Sequence, residues 1–342
     1  MCNNKPKILV ILTGGTICSS TDENGQRYSD AENVKIIGHY QNSDSPFSGQ
    51  VDFDKAIPLD TLSENMTTDK WNALLEALKA ARYSDYKGII ILHGTDTLAY
   101  TASLLAITLA GIPVPVCLVS SQLPLDKDGT NGHANFRAAT ELILNGIAPN
   151  VYAVYRNGDG VIYAHFGAQL LQCENYSDDF FSKRMMPVSG ENARWEGAPF
   201  RTNSLYLQKM GKLTQCVLKI VPYVGLDYNA FNLEGVRAIV HGTYHSQSVC
   251  VERSKGAGDY SSASILQLID RCRDIPVFLA PCAPEAAKYE STGDAIAHGA
   301  DHICKTTNEM AYVKVLVGCA LGLHKNELTD FVNMDINGEC CY

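Results

Sequence analysis

The sequence predicts an α/β protein, with a doubly wound and mostly parallel sheet in an N-terminal domain followed by a smaller α/β domain. Three observations carry this. Lys7 to Leu12, Gly88 to Leu92, Val114 to Ser120 and Val151 to Tyr155 are short, almost unbroken apolar runs, the pattern of strands buried on both faces. Segments of helical spacing stand between them, and strand alternating with helix winds a parallel sheet. A chain of 342 residues exceeds what one core usually holds, so the reading is 1–190 for the first domain, 191–213 for a linker and 214–342 for the second.

Lys7 to Leu12 runs directly into Thr13-Gly14-Gly15-Thr16, where paired glycines let the backbone turn sharply. A phosphate loop needs Lys-Ser/Thr after the last glycine, and here Thr16 and Ile17 follow. A dinucleotide fingerprint needs a third glycine, which is missing. What remains is a hydroxyl presented at a strand end. Cys18 to Asn33 is polar and without period, a loop of the kind that often forms a lid; Tyr28 is its tyrosine, with Tyr40 further on.

After Phe53 to Ser63, a helix is expected from about Thr68 to Ala81, with Thr67 or Thr68 as cap and Trp71, Leu74, Leu75 and Leu78 as its apolar stripe. Gly88 to Leu92 feeds His93-Gly94-Thr95-Asp96-Thr97, and Leu98 to Ala110 is apolar at helical spacing. The five residues between are a strand-to-helix turn at the carboxyl end of a strand, where helix amides face a bound anion and sites are built. Either Thr95 or Thr97 caps the helix, with Asp96 at its positive end, or these groups form a site. A helix over Asn131 to Ile143 follows. The pattern breaks from Lys183 to about Leu213. Strands at Val217 to Val221, Val236 to Val240 and Val277 to Ala280, with helices at Ser262 to Cys272 and Asn308 to Ala320, make the second domain.

A net charge of -9 without a Lys/Arg tract argues against nucleic-acid or acidic-membrane partners. No apolar run reaches the length of a membrane span. The 12 cysteines form no C-x-x-C spacing, and Met1 to Lys7 leads into a strand without an apolar leader, so reduced thiols and a cytoplasmic location are expected. His241 and His245 follow a strand four residues apart, too far in extended chain to share one ion, so no metal is expected.

The blocks Ile11-Leu12-Thr13-Gly14-Gly15-Thr16-Ile17 and His93-Gly94-Thr95-Asp96-Thr97-Leu98 resemble, in order and spacing, the two signature motifs of bacterial-type L-asparaginases, which include relatives acting on glutamine. The resemblance implies a cytoplasmic, type I-like amidohydrolase without cofactor or metal, acting on a small amino-acid amide, typically L-asparagine, as a homodimer or homotetramer. It implies a threonine nucleophile, ammonia leaving and water resolving an acyl-enzyme, so that each step needs a proton carrier and donors for the oxyanion. Thr13 would attack, helped by Tyr28 from the lid. Thr95 would be the second hydroxyl, paired with a lysine held near Asp96, which also binds the substrate's amino group. Amides beside Thr13 and Thr95, Gly14 among them, would supply the oxyanion site. Ser63 and Glu64 would grip the α-carboxylate and amino group. Asp128 and Asn131 would be anchors, Ser246 and Ser248 part of a loop reaching another subunit's site, and Glu285 either a cross-subunit contact or a solvated helix-start acid.

The lysine is where the chain departs from the pattern. Gly167-Ala168-Gln169-Leu170-Leu171 leads to Gln172, with Phe181-Ser182 at the matching distance beyond, so Gln172 aligns with the lysine. A glutamine cannot carry a proton away at neutral pH. Either the relay is replaced, by water, His165 or Lys183, or the pocket binds an amino acid without turning it over. One methylene is worth only about 1–3 kcal/mol in such a pocket, so the choice between asparagine and glutamine is not written in these motifs.

Overall fold

The buried runs become neighbouring strands. The computed structural model describes residues 5–21, 23–24, 27–33, 35–189, 205–253, 260–283 and 289–340. In it, β1 (Lys7–Leu12), β2 (Asp52–Ala56), β3 (Gly88–Leu92), β4 (Val116–Val119), β5 (Val151–Arg156), β6 (Ile162–Phe166) and β7 (Met185–Pro187) form one sheet in the order β7-β6-β5-β4-β3-β1-β2. The five strands from β2 to β5 pair in parallel. β6 and β7 add an antiparallel edge that the apolar runs did not signal, because their outer residues are only half-buried.

Helices follow the strands: α1 (Ile36–Gln41), α2 (Thr68–Ala80), α3 (Leu98–Thr108) and α4 (Gly132–Leu144). The Thr67 hydroxyl accepts from Lys70 N–H at 3.4 Å and caps α2, whose expected stripe, Trp71, Leu74, Leu75 and Leu78, is buried. α3 is buried on nearly every side, as a helix apolar all round must be. α4 lies so close to β3 that a Cβ on Gly88 would sit 2.7 Å from Ile143 Cγ2. The segment expected to be a plain loop carries a short antiparallel ribbon, Ser19–Thr21 with Arg27–Ser29, between single turns at Thr16–Cys18 and Ala31–Asn33. Three-residue strands are too short to show a period of two.

The chain divides into two compact units, 1–209 with 336–338, and 210–335 with 339–342. Of the stretch read as a linker, 191–204 lies outside the described residues, and Tyr206–Gln208 is a single turn within the first unit. Residue 337 completes that unit: Asn337 Nδ2 donates to Ala106 O at 3.1 Å and Asn150 Oδ1 at 3.0 Å, while Asn150 Nδ2 donates to Asn337 Oδ1 at 3.1 Å.

The second unit has its own all-parallel sheet, β8 (Val217–Ile220), β9 (Ala238–His241), β10 (Val277–Cys282) and β11 (Asp301–Cys304), in that order. α5 (Ile265–Arg271), α6 (Glu290–Ala297), α7 (Asn308–Ala320) and α8 (Lys325–Asn333) accompany it. Its core gathers Ile239, Leu268 and Leu279 among others. β11, α6 and α8 escape a reading by apolar pattern, since α8 buries only Leu328, Phe331 and Val332. Among the described residues no helix is long and apolar enough to cross a membrane.

Candidate active site

β1 and β3 are adjacent and in register, Leu12 opposite Leu92, so the turns that follow them emerge side by side. Thr13 N–H donates to Leu92 O at 3.1 Å, and Thr13 Oγ1 donates to the same oxygen at 2.8 Å. Gly14 (φ 99°) and Gly15 (φ 77°) then turn left-handed, and Gly15 N–H reaches Thr61 O at 2.8 Å. A Cβ on Gly15 would lie 2.3 Å from Gly94 Cα. The two motif turns therefore touch backbone to backbone, which only glycine permits here.

The second turn is held from beneath. His93 Nδ1 lies 2.7 Å from Gly94 O, so it must carry the proton, and Nε2 must accept from Thr101 Oγ1 at 2.9 Å. Thr101 in turn accepts from Trp71 Nε1 at 3.0 Å. Burial lowers the His93 pKa to about 4, so the ring is neutral. Ser63 secures the turn from the side. Its Oγ donates to Asp96 Oδ2 at 2.8 Å and accepts from Asp96 N–H at 3.2 Å, while its carbonyl accepts from Thr97 Oγ1 at 3.0 Å. Thr97 occupies the cap position of α3 without a side-chain capping bond, so the capping-only alternative does not describe this turn.

A cavity of about 380 Å³ opens beside Thr95 and Asp96 and is also lined by Tyr155, Gln172, Glu174 and Asp178. Among the described residues its lining holds three carboxylates and no Lys, Arg or His. Gln172 Nε2 donates to the backbone carbonyl of Thr95 at 3.0 Å, and its buried Oε1 has no partner among the described residues. Cys173, also at the cavity, has its thiol pushed up to about 12, first by burial and then by Asp178, Asp179 and Asp96.

The structure thus brings Ser63, Thr95, Asp96 and Gln172 together, with the Thr95 hydroxyl and N–H making no hydrogen bond among the described residues. Thr13 adjoins them through the glycine contact, yet it is 1% exposed and does not line the cavity. Tyr28 stands on the ribbon opposite Ser20, 49% exposed. Its neighbour Ser29 is the one turned toward Gly14, where a Cβ would sit 2.5 Å from Ser29 Oγ, and Ser29 bonds Asp60. Successive strand residues point to opposite faces, so Tyr28 faces away from Gly14. Tyr40 is buried in α1 with its hydroxyl on Ser45.

Of the amides beside the two threonines, Gly15 N–H is engaged with Thr61 O and Asp96 N–H with Ser63 Oγ. His165 is fully buried with Nδ1 on Ser182, and its pKa is lowered to about 4 by burial. Neither it nor the exposed Lys183 lines the cavity. Glu64 and Asp128 are exposed; Asn131 exchanges hydrogen bonds with Gln122 and holds Arg156 O, as an anchor would. In the second unit His241 is buried against Gly242 O and Tyr228, whereas His245 is exposed. Ser246 and Ser248 bond each other at 2.8 Å, and Glu285 lies outside the described residues. Glu174, Asp178 and Tyr155 carry no motif and become neighbours of Thr95 only through the fold.

The fold has known counterparts. The thermostable L-asparaginase from Thermococcus kodakarensis matches it with a TM-score of 0.77 at 22% identity, over 97% of this chain and 98% of that one, so the architecture is that of an asparaginase. The family described as Asparaginase, N-terminal, matches residues 7–193, more than half of the sequence, and the chain belongs to that family. In sequence it is 31% identical to the L-asparaginase of T. kodakarensis over 183 residues, 52% of this chain and 54% of that protein. It is 30% identical to a glutamyl-tRNA(Gln) amidotransferase subunit from Metallosphaera sedula over 183 residues, 51% of this chain and 40% of that protein. The chain therefore spans about half the length of the curated relatives it matches.

Proposed function

We propose that this chain is an amidohydrolase that releases ammonia from the side-chain amide of L-asparagine, giving L-aspartate, with a threonine as nucleophile. The observation that carries the reading is the Thr95 hydroxyl, unengaged among the described residues, beside the Ser63-held Asp96 carboxylate at the mouth of an acidic cavity. Asp96 receives the substrate's ammonium group, reinforced by Glu174 and Asp178, and Ser63 fixes the carboxylate that does so. Glu64 is a further acceptor for the ammonium. Thr13 attacks the amide carbon after its hydroxyl leaves Leu92 O by rotation about one side-chain bond, and Thr95 donates to the oxyanion. Tyr28 serves Thr13 only if the ribbon shifts. Gln172 takes the place of the family's lysine, supporting the Thr95 carbonyl without relaying a proton. A relay base contributes about 10²–10⁴-fold, so a slow enzyme is expected. By the same resemblance it works in the cytoplasm as a homodimer or homotetramer.

Ammonia release by the purified protein tests this. Wild type is expected to deamidate L-asparagine, and Thr13→Ala and Thr95→Ala are each expected to lose at least about 10²-fold in rate. Should Thr13→Ala keep full activity while Thr95→Ala loses it, attack belongs to Thr95, as its open position would favour. A cavity whose lining holds no basic side chain among the described residues supports a second reading, an amino-acid-binding protein without turnover. That reading wins if no ammonia appears from asparagine, glutamine or their D-forms while one of these raises the melting temperature.

A further inference from the structure

The two motif turns are joined by a third segment, Thr61 to Asn65, which passes both of them before α2 begins. Thr61 N–H donates to Thr13 O at 3.1 Å and Thr61 O accepts from Gly15 N–H at 2.8 Å, so this residue fixes the first turn. Two residues on, Ser63 holds Asp96 and Thr97 of the second. The fit is close on both sides: a Cβ on Gly14 would lie 2.2 Å from Thr61 O, and one on Gly94 would lie 2.4 Å from Ser63 Oγ. The shape of this short segment therefore sets how far apart the turns of Thr13 and Thr95 stand. A single side chain clamps it. Lys70, half-buried in the first turn of α2, donates from Nζ to Thr61 Oγ1 at 2.8 Å and to Asn65 O at 2.7 Å, one acceptor at each end of the segment.

We propose that Lys70 is a positioning residue for the amide hydrolysis, holding the two motif turns at their working separation through Thr61 and Asn65. This rests on the reading of Thr13 and Thr95 as the working hydroxyls. The role is mechanical, for Lys70 does not line the cavity. A cation in the first turn of a helix stands at the positive end of the dipole, where helix stability alone disfavours it, and the two acceptors that hold this one are neutral. The strut is well anchored. Its backbone N–H meets the Thr67 cap at 3.4 Å, and the next residue, Trp71, bonds Thr101 beneath the second turn at 3.0 Å. α2 thus braces the site twice, from beneath through Trp71 and across the joining segment through Lys70. Without the ammonium the segment is free to bow, and a displacement of about 1 Å between reacting groups can cost about 10²-fold in rate. An ammonium can aim its donors at two diverging acceptors, which the planar fork of an arginine meets less well.

The test uses the whole chain. Lys70→Met keeps the stem and removes the ammonium; kcat for ammonia release from L-asparagine is expected to fall by at least about tenfold while KM changes by less than about twofold. Lys70→Arg is expected to recover part of the loss. Thr61→Val removes one of the same contacts from the other side, so its effect on kcat and that of Lys70→Met are expected to be less than additive in the double variant. Hydrogen exchange at the Gly15 and Asp96 amides, followed by NMR, needs no turnover, and both are expected to exchange at least about tenfold faster in Lys70→Met while the amides of β3 keep their protection. Additive effects in the double variant, a change in KM alone, or unchanged exchange at both amides overturns the proposal. Absence of ammonia from wild type overturns the amidohydrolase reading instead, and the exchange measurement then decides the bracing role by itself.

Discussion

His93 belongs to the site motif without entering the cavity, and its work is to hold the turn that does. Its neutral ring stands between Gly94 O and Thr101, and Thr101 passes the connection on to Trp71 of α2. Thr101→Val keeps the shape and removes both roles of the hydroxyl, leaving a buried indole N–H and an imidazole nitrogen unpaired. Each such loss costs about 1–3 kcal/mol, so chemical denaturation is expected to show the variant destabilised by roughly 2–4 kcal/mol. Gln172→Lys tests the proposal that Gln172 stands where the family resemblance expects a cation. A lysine there would face Asp96, Glu174 and Asp178, and the rate of ammonia release is expected to rise by at least tenfold; an unchanged rate would mean that Gln172 does not occupy the lysine's place. That Thr95, Asp96 and Ser63 come together was legible because strand-end turns and family motifs mark them. The acids around them were not, for the bond from Gln172 to Thr95 spans 77 residues of sequence and no local pattern records it.

Elements whose burial is complete were the readable ones. β1 and β3 occupy the stretches expected, since almost unbroken apolar runs leave little choice of boundary, and α7 does so by its helical spacing of apolar residues. The antiparallel edge β6–β7 and the polar helix α8 were missed because each presents half its surface to water, and their identity is settled by neighbours rather than composition. The same dependence on distant partners governs α3. The carbonyl of Ala106 near its end is satisfied by Asn337, which also pairs with Asn150 at the start of β5. Asn337→Ala would remove the donor to the buried Ala106 carbonyl and one of the partners of Asn150, and a loss of about 1–3 kcal/mol is expected from urea unfolding monitored by tryptophan fluorescence.

At the scale of the whole molecule, three histidines are buried and neutral. His93, His165 and His241 each have a pKa lowered from 6.5 to about 4 by burial. Once unfolded, each takes up a proton that its folded form refuses, so the unfolded state binds more protons between those two values. Stability is therefore complete above pH 6.5 and falls as the pH drops toward 4, at roughly 1 kcal/mol per pH unit for each histidine. Urea midpoints measured from pH 7.5 to 5 should trace this decline, with a shallower slope in a His93→Gln variant. Fold class was legible at this scale because strand and helix alternate along the sequence, and the solved relative matches that architecture. The return of residues 336–338 to the first unit was not, since a few polar residues carry no period.

That return has a bearing on biosynthesis. A ribosome makes the first 209 residues well before it reaches Asn337, and at about 5–20 residues per second the wait is on the order of ten seconds. Throughout it, the Ala106 carbonyl must do without the Asn337 amide that it accepts from in the finished fold. The nascent first unit is thus held short of completion while the second is still being translated, and its finishing stitch is one of the late events of the chain's assembly.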